Sequence, residues 1–114
     1  MKAFIAMPLA NQTKANVDTN YGKVMAIVQT YLGKDVEFIS NYDGKSMPDL
    51  SDKAKVIDYA LGFLEKLKNV DYFVKINIGG YKETRLLTNF AQSLDIPTIY
   101  INNADLLNFS EKEA

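Results

Sequence analysis

Apolar residues recur along the chain in two alternating rhythms, and the alternation predicts the elements. Residues 3–7 (AFIAM) form a short continuous apolar run closed by Pro8, the pattern of a strand buried on both faces. After the polar stretch LANQTKAN, apolar residues return at helical spacing. Val17, Tyr21, Val24, Met25, Val28, Tyr31 and Leu32 form this stripe, and Gly33 supplies a stop. Residues 36–40 (VEFIS) predict a second strand. The turn-rich NYDGKSMPDLSDK then leads, with Ser51 as candidate cap, into a helix whose stripe is Ala54, Ile57, Leu61, Leu64 and Leu67. Residues 71–76 (DYFVKI) predict a third strand. Leu86, Leu87, Phe90, Ala91 and Leu94 give a third helix with a wide apolar face. Asp95 and Pro97 end it before a last strand, TIYI. NADLLNF predicts a short terminal helix and SEKEA a frayed tail.

Strands alternating with helical crossovers predict an α/β fold. It is a flavodoxin-like or Rossmann-like three-layer arrangement, with a four-stranded, mainly parallel sheet and helices on both faces. At 114 residues the chain is expected to form a single domain, 1–114. Ligands in such sheets sit beyond the carboxyl ends of the strands, at the point where neighbouring connections diverge. That directs attention to the loops at 8–16 and 77–84.

Composition narrows the chemistry. The chain has no histidine and no cysteine, which excludes a Ser-His-Asp triad, His-ligated zinc, thiolate catalysis and a disulfide framework. A cysteine-free chain suits a reducing cytoplasm. A net charge of −1 gives no bulk attraction to nucleic acid or to an anionic membrane, so neither is expected as a partner. The opening MKAFIAMPLANQ is too short and too polar behind for a signal peptide or membrane span. No clustered acidic triplet suggests a metal, and no cofactor is expected.

Candidate binding residues collect at the two loops. Met7 and Pro8 close the first strand, and Asn11, Gln12 and Asn16 follow with uncharged amides suited to hydroxyls or base edges. Loop solvation and helix capping account for the same amides. Gly79 and Gly80 permit a positive φ or a close ligand approach before a helix whose first amides favour an anion. NIGGYKETR is neither G-x-G-x-x-G nor a Walker loop, and a tight strand-to-helix turn explains it as well. Tyr81 offers a ring for stacking or a rim aromatic packed over the core. Glu83, in the first turn, complements the helix dipole. Arg85 opposes that dipole, which points to a ligand or a partner carboxylate. In SNYDG, Asn41, Tyr42 and Asp43 follow the second strand, where turn chemistry also suffices. Asp71 lies at the opposite end of the sheet and reads as structural.

With these elements placed, the chain resembles the nucleoside 2-deoxyribosyltransferase-like superfamily, nearest its short phage and bacterial members. The segments that carry the likeness are KAFIAMPLANQT, YGKVMAIVQTYLGKDVEFIS, KVIDYALGFLEKLKNVDYFVKI and ETRLLTNFAQSLDIPTIYI, nearly the whole chain. The likeness lies in element order and loop placement. It implies a flavodoxin-like sheet, a nucleoside pocket lined by the loops after strands one and three, and assembly as dimers or larger. It also implies a nucleophilic glutamate in the helix before the last strand. Counting back without gaps from LDIP, that position is Leu87, with Asn89 two residues on. A hydrocarbon side chain cannot form a glycosyl ester. Glu83 lies one helical turn earlier on the same side. Asn77 stands where the family carries a loop carboxylate, so the two-carboxylate arrangement of glycosyl transfer is not evident.

These readings favour a non-catalytic binder of a nucleoside or nucleotide-derived ligand, sequestering or sensing a signalling nucleotide. Met7, Pro8, Asn11, Gln12, Tyr42, Asn77, Gly79, Gly80, Tyr81 and Arg85 would surround it in a homo-oligomer. Two alternatives stand beside it. One is an active deoxyribosyltransferase or N-glycosidase using Glu83. The other is a protein-interaction or inhibitor module with a vestigial pocket.

Overall fold

Alternation along the first strand, β1 (Lys2–Ala6), sets the architecture. Ala3 and Ile5 point to one face of the sheet and Phe4 and Ala6 to the other, and all four are buried. The computed structural model describes residues 1–10, 12–44, 47–77 and 81–102. After β1 come α1 (Lys14–Leu32), β2 (Glu37–Ser40), α2 (Lys53–Leu61) and a short 3₁₀ helix (Glu65–Asn69). They are followed by β3 (Tyr72–Ile76), α3 (Lys82–Ser93) and β4 (Thr98–Ile101). The strands pair in parallel, in the order β2-β1-β3-β4. The helices cover both faces, which makes this a three-layer α/β fold of the flavodoxin-like or Rossmann-like kind.

Each face has its own core. On one, Val17, Val24 and Val28 of α1 pack with Ala3, Ile5, Val74 and Ile76. On the other, Ala60 of α2 and Leu87 and Ala91 of α3 pack with Phe4, Ala6 and Phe73. The Phe4 and Phe73 rings stack with centroids 5.8 Å apart. Gly33 ends α1 at φ 92°, a conformation that side chains resist, and its N–H donates to the Gln29 carbonyl at 2.9 Å. Asp71, read as structural, fastens the amino ends of two strands. Its carboxylate accepts the Lys2 N–H at 2.7 Å, and its own N–H donates to the Lys2 carbonyl at 2.8 Å.

The helical stripes need correction in three places. α2 and the segment after it do not form one continuous helix: the chain turns at Gly62–Leu64 and tightens into the 3₁₀ helix. A 3.6-residue period cannot be carried across that break, so the phase of α2 is set independently. Val56 and Ala60 face the core, while Ala54 is exposed and Ile57 and Leu61 are 48% and 49% exposed. Leu64 and Leu67 still pack inward, through the 3₁₀ helix. At the end of α1 Tyr31 is 72% exposed and Leu32 takes the core side. At the end of α3 Leu94 lies largely in solvent. Asp52, rather than Ser51, caps α2, its side chain accepting the Lys55 N–H at 2.9 Å. The terminal NADLLNF helix and SEKEA tail lie outside the described residues.

Candidate functional site

Parallel strands bring the loops after β1, β2 and β3 to one edge of the sheet. β1 and β3 are neighbours, yet the helices that follow them cover opposite faces, so the switch point falls between them. The loop after β1 is fastened there from both sides.

From β2, Asn41 acts as an extra rung of the sheet. Its Oδ1 accepts the Met7 N–H at 2.7 Å and its Nδ2 donates to the Met7 carbonyl at 3.0 Å. From α3, the Glu83 carboxylate reaches across, and Oε1 accepts the N–H groups of Leu9 at 3.1 Å and Ala10 at 3.3 Å. Glu83 is 1% exposed. A charge so deeply buried is tolerable only when hydrogen bonds compensate its lost hydration, and these two do so. A third tie joins the loop to the start of α3: Gln12 Nε2 donates to the Tyr81 hydroxyl at 2.8 Å. Tyr81 is itself 1% exposed.

Beside this fastened loop lies a cleft of about 400 Å³, between Leu9, Ala10 and Gln12 on one side and Met47–Ser51 on the other. That volume is within the usual range for small-molecule sites, about 300–1,000 Å³. Asp49 is its fixed negative charge. The Lys55 ammonium donates to Asp49 at 2.6 Å and the Ser51 N–H at 3.0 Å, and together they hold the carboxyl down to about 2. Pro48 separates the cleft from a second hollow of about 220 Å³ that includes Asn41, Asp43, Tyr59 and Phe63.

Tyr59 braces the site from α2. Its hydroxyl donates to the Asn41 carbonyl and accepts from Asn41 Nδ2, both at 2.9 Å. Burial pushes this phenol well above the ordinary tyrosine range. The Asn41 hydrogen bond pulls the other way, and the Glu83 and Asp43 charges add to the rise. A folded pKa above the unfolded value of about 10 means that stability from this group is intact below that pH. It is lost as pH rises further, through the folded pKa. Alkaline titration of phenolate absorbance is expected to show a late tyrosine whose ionisation accompanies unfolding and is absent in Tyr59→Phe. A late step that survives the substitution would assign it elsewhere.

The structure gathers some of the sequence candidates and disperses others. Gln12 meets Tyr81, and Glu83 meets the same loop through Leu9 and Ala10. Met7 and Pro8 are buried beneath the loop, and both backbone groups of Met7 are taken by Asn41, so Met7 offers nothing to a ligand. The Tyr81 ring is likewise buried and offers no face for stacking. Tyr42 is buried against α1, its hydroxyl donating to Asp18 and its ring edge-on to Tyr21. Asn77 lies at the surface after β3, where its Nδ2 donates to Asn102 Oδ1 at 2.6 Å. Asn16 donates its N–H to the Thr13 cap at 3.2 Å. Arg85 is exposed and lines a separate groove between α2 and α3. Asn11, Gly79 and Gly80 lie outside the described residues. Leu87, where the resemblance puts a nucleophile, is 0% exposed in the core.

Sequence reasoning missed Tyr59 and the 47–51 wall of the cleft. An amide immediately after a strand, as Asn41 is, was the available signal for the extra rung. Nothing in the periodicity marks Tyr59 as its partner. Among the described residues no group of three acids gathers to hold a metal, and no helix is long and apolar enough to cross a membrane. Compared with known proteins, the chain matches no family model and no curated protein.

Proposed function

We propose that the protein binds a nucleoside, or the nucleoside part of a nucleotide-derived molecule, without reacting with it. The binding place is the cleft beside the loop after β1. One observation carries this reading. Among the described residues Glu83 is the only buried carboxylate, and its Oε1 is engaged by the Leu9 and Ala10 amides. A nucleophile needs a lone pair aimed at open space in the cleft. Glu83 is instead enclosed behind the cleft wall that those two residues form.

The cleft supports a sugar or base as occupant. Asp49 is an acceptor ionised at any physiological pH, suited to ribose hydroxyls or an exocyclic amine. Gln12 and Ser51 add polar groups to a lining that also holds Leu9, Met47 and Leu50. A role in sequestering or sensing a signalling nucleotide, and assembly into homo-oligomers, belong to the same proposal through the family resemblance.

Isothermal titration with a panel of nucleosides, cyclic nucleotides and ADP-ribose-type compounds tests it. At least one member is expected to bind saturably, and Asp49→Ala should weaken that binding about tenfold, the loss of one good polar contact. No heat with any compound would overturn the reading. Release of free base from a deoxynucleoside, abolished by Glu83→Gln, would replace it with the enzymatic alternative.

A further inference from the structure

The groove between α2 and α3, away from the cleft, has a chemistry of its own. It has a volume of about 340 Å³, with Val56, Ile57 and Leu86 as apolar surface and Lys53, Lys82 and Arg85 as charged groups. No carboxylate lines it among the described residues, and none of the three cations joins an ion pair there. Lys53 and Lys82 are the first residues of their helices. Asp52 caps the first helix and Glu83 sits in the first turn of the other, turned toward the loop after β1, so the groove's positive sign comes from its three side chains. The exposed stripe of α2, Ala54, Ile57 and Leu61, continues the apolar surface along the helix.

We infer that this groove docks a protein partner through an amphipathic helical segment with an apolar ridge flanked by carboxylates. The stripe spans two helical turns, which fits a ridge of side chains at i, i+3 and i+7 better than a compact ligand. Charge complementarity supplies the flanking acids, since three clustered cations meet no counter-charge of their own. It also argues against a second copy on a two-fold axis. Such a contact is self-complementary and brings the same cationic patch against itself.

The test is fluorescence anisotropy with the full chain and a labelled synthetic helical peptide carrying a leucine stripe flanked by glutamates. Saturable binding is expected, weakening as salt rises, with no binding by a sister peptide that has lysines for the glutamates. Arg85→Glu and Lys82→Glu should each weaken binding about tenfold, and Ile57→Asp should abolish it. These side chains are on the surface, and circular dichroism of each variant verifies its fold. Failure of the glutamate peptide to bind, equal binding of both peptides, or undiminished binding by either charge variant overturns the inference. Self-association in sedimentation that Ile57→Asp removes would give the groove to a second copy and overturn it equally.

Discussion

Leu87→Glu is expected to leave no cooperatively folded protein at neutral pH. The substitution installs the acid that the family resemblance would place at this position, so a cleft-facing Leu87 would accept it. Leu87 instead lies at 0% exposure against Phe4, Ala6, Phe73 and Ala91, under the sheet face that α3 covers. Truncating such a leucine to alanine costs about 2–5 kcal/mol. A carboxylate there forfeits the same packing and adds the desolvation of an unpaired charge. Together these approach the whole stability of an ordinary domain, about 5–15 kcal/mol. Far-ultraviolet circular dichroism with urea denaturation measures it, and a wild-type transition for Leu87→Glu would refute the core placement. Leu87→Ala, by contrast, should fold with a lower midpoint.

The second large effect is at Glu83. Glu83→Ala is expected to lower stability by about 2–4 kcal/mol, because it removes the acceptor shared by two buried or half-buried amides and leaves both unsatisfied. Glu83→Gln keeps a side-chain carbonyl in reach and should cost about half as much. Urea denaturation ranks the three proteins. Native-state hydrogen exchange should show the Leu9 and Ala10 amides opening faster in Glu83→Ala than in the parent. Unchanged stability in the alanine variant would mean that the carboxylate does not hold the loop.

Much of the fold was legible because strand burial leaves a strong signature. AFIAM and TIYI read as strands from composition alone, and parallel pairing follows from helices between them. The α2 stripe misled for a physical reason. Ile57 and Leu61 repeat with Leu64 and Leu67 only if the helix continues, and the turn at Gly62 uncouples the two halves. Of the candidate cleft, the loop after β1 was legible, but its 47–51 wall and its wiring were not. Glu83 in a first turn satisfies a dipole argument whatever its side chain touches, and its bonds to Leu9 and Ala10 join positions more than seventy residues apart. No local pattern encodes such a pairing. Arg85 was singled out because it opposes the helix dipole, yet its side of the helix depends on packing, and packing sends it to the α2–α3 groove.

The bond from Glu83 to the loop has a consequence for what the cleft will select. Backbone amides after the first strand of a parallel sheet are a natural cradle for phosphate. Here the Leu9 and Ala10 amides already hold an anion that the chain carries itself, and the neighbouring Met7 amide is taken by Asn41. A tethered carboxylate at this place competes intramolecularly with free phosphate for these amides. On the proposed reading, the cleft is therefore expected to favour a ligand that presents a hydroxyl or amino group to Asp49 over one that presents a phosphoryl group to the Leu9 and Ala10 amides.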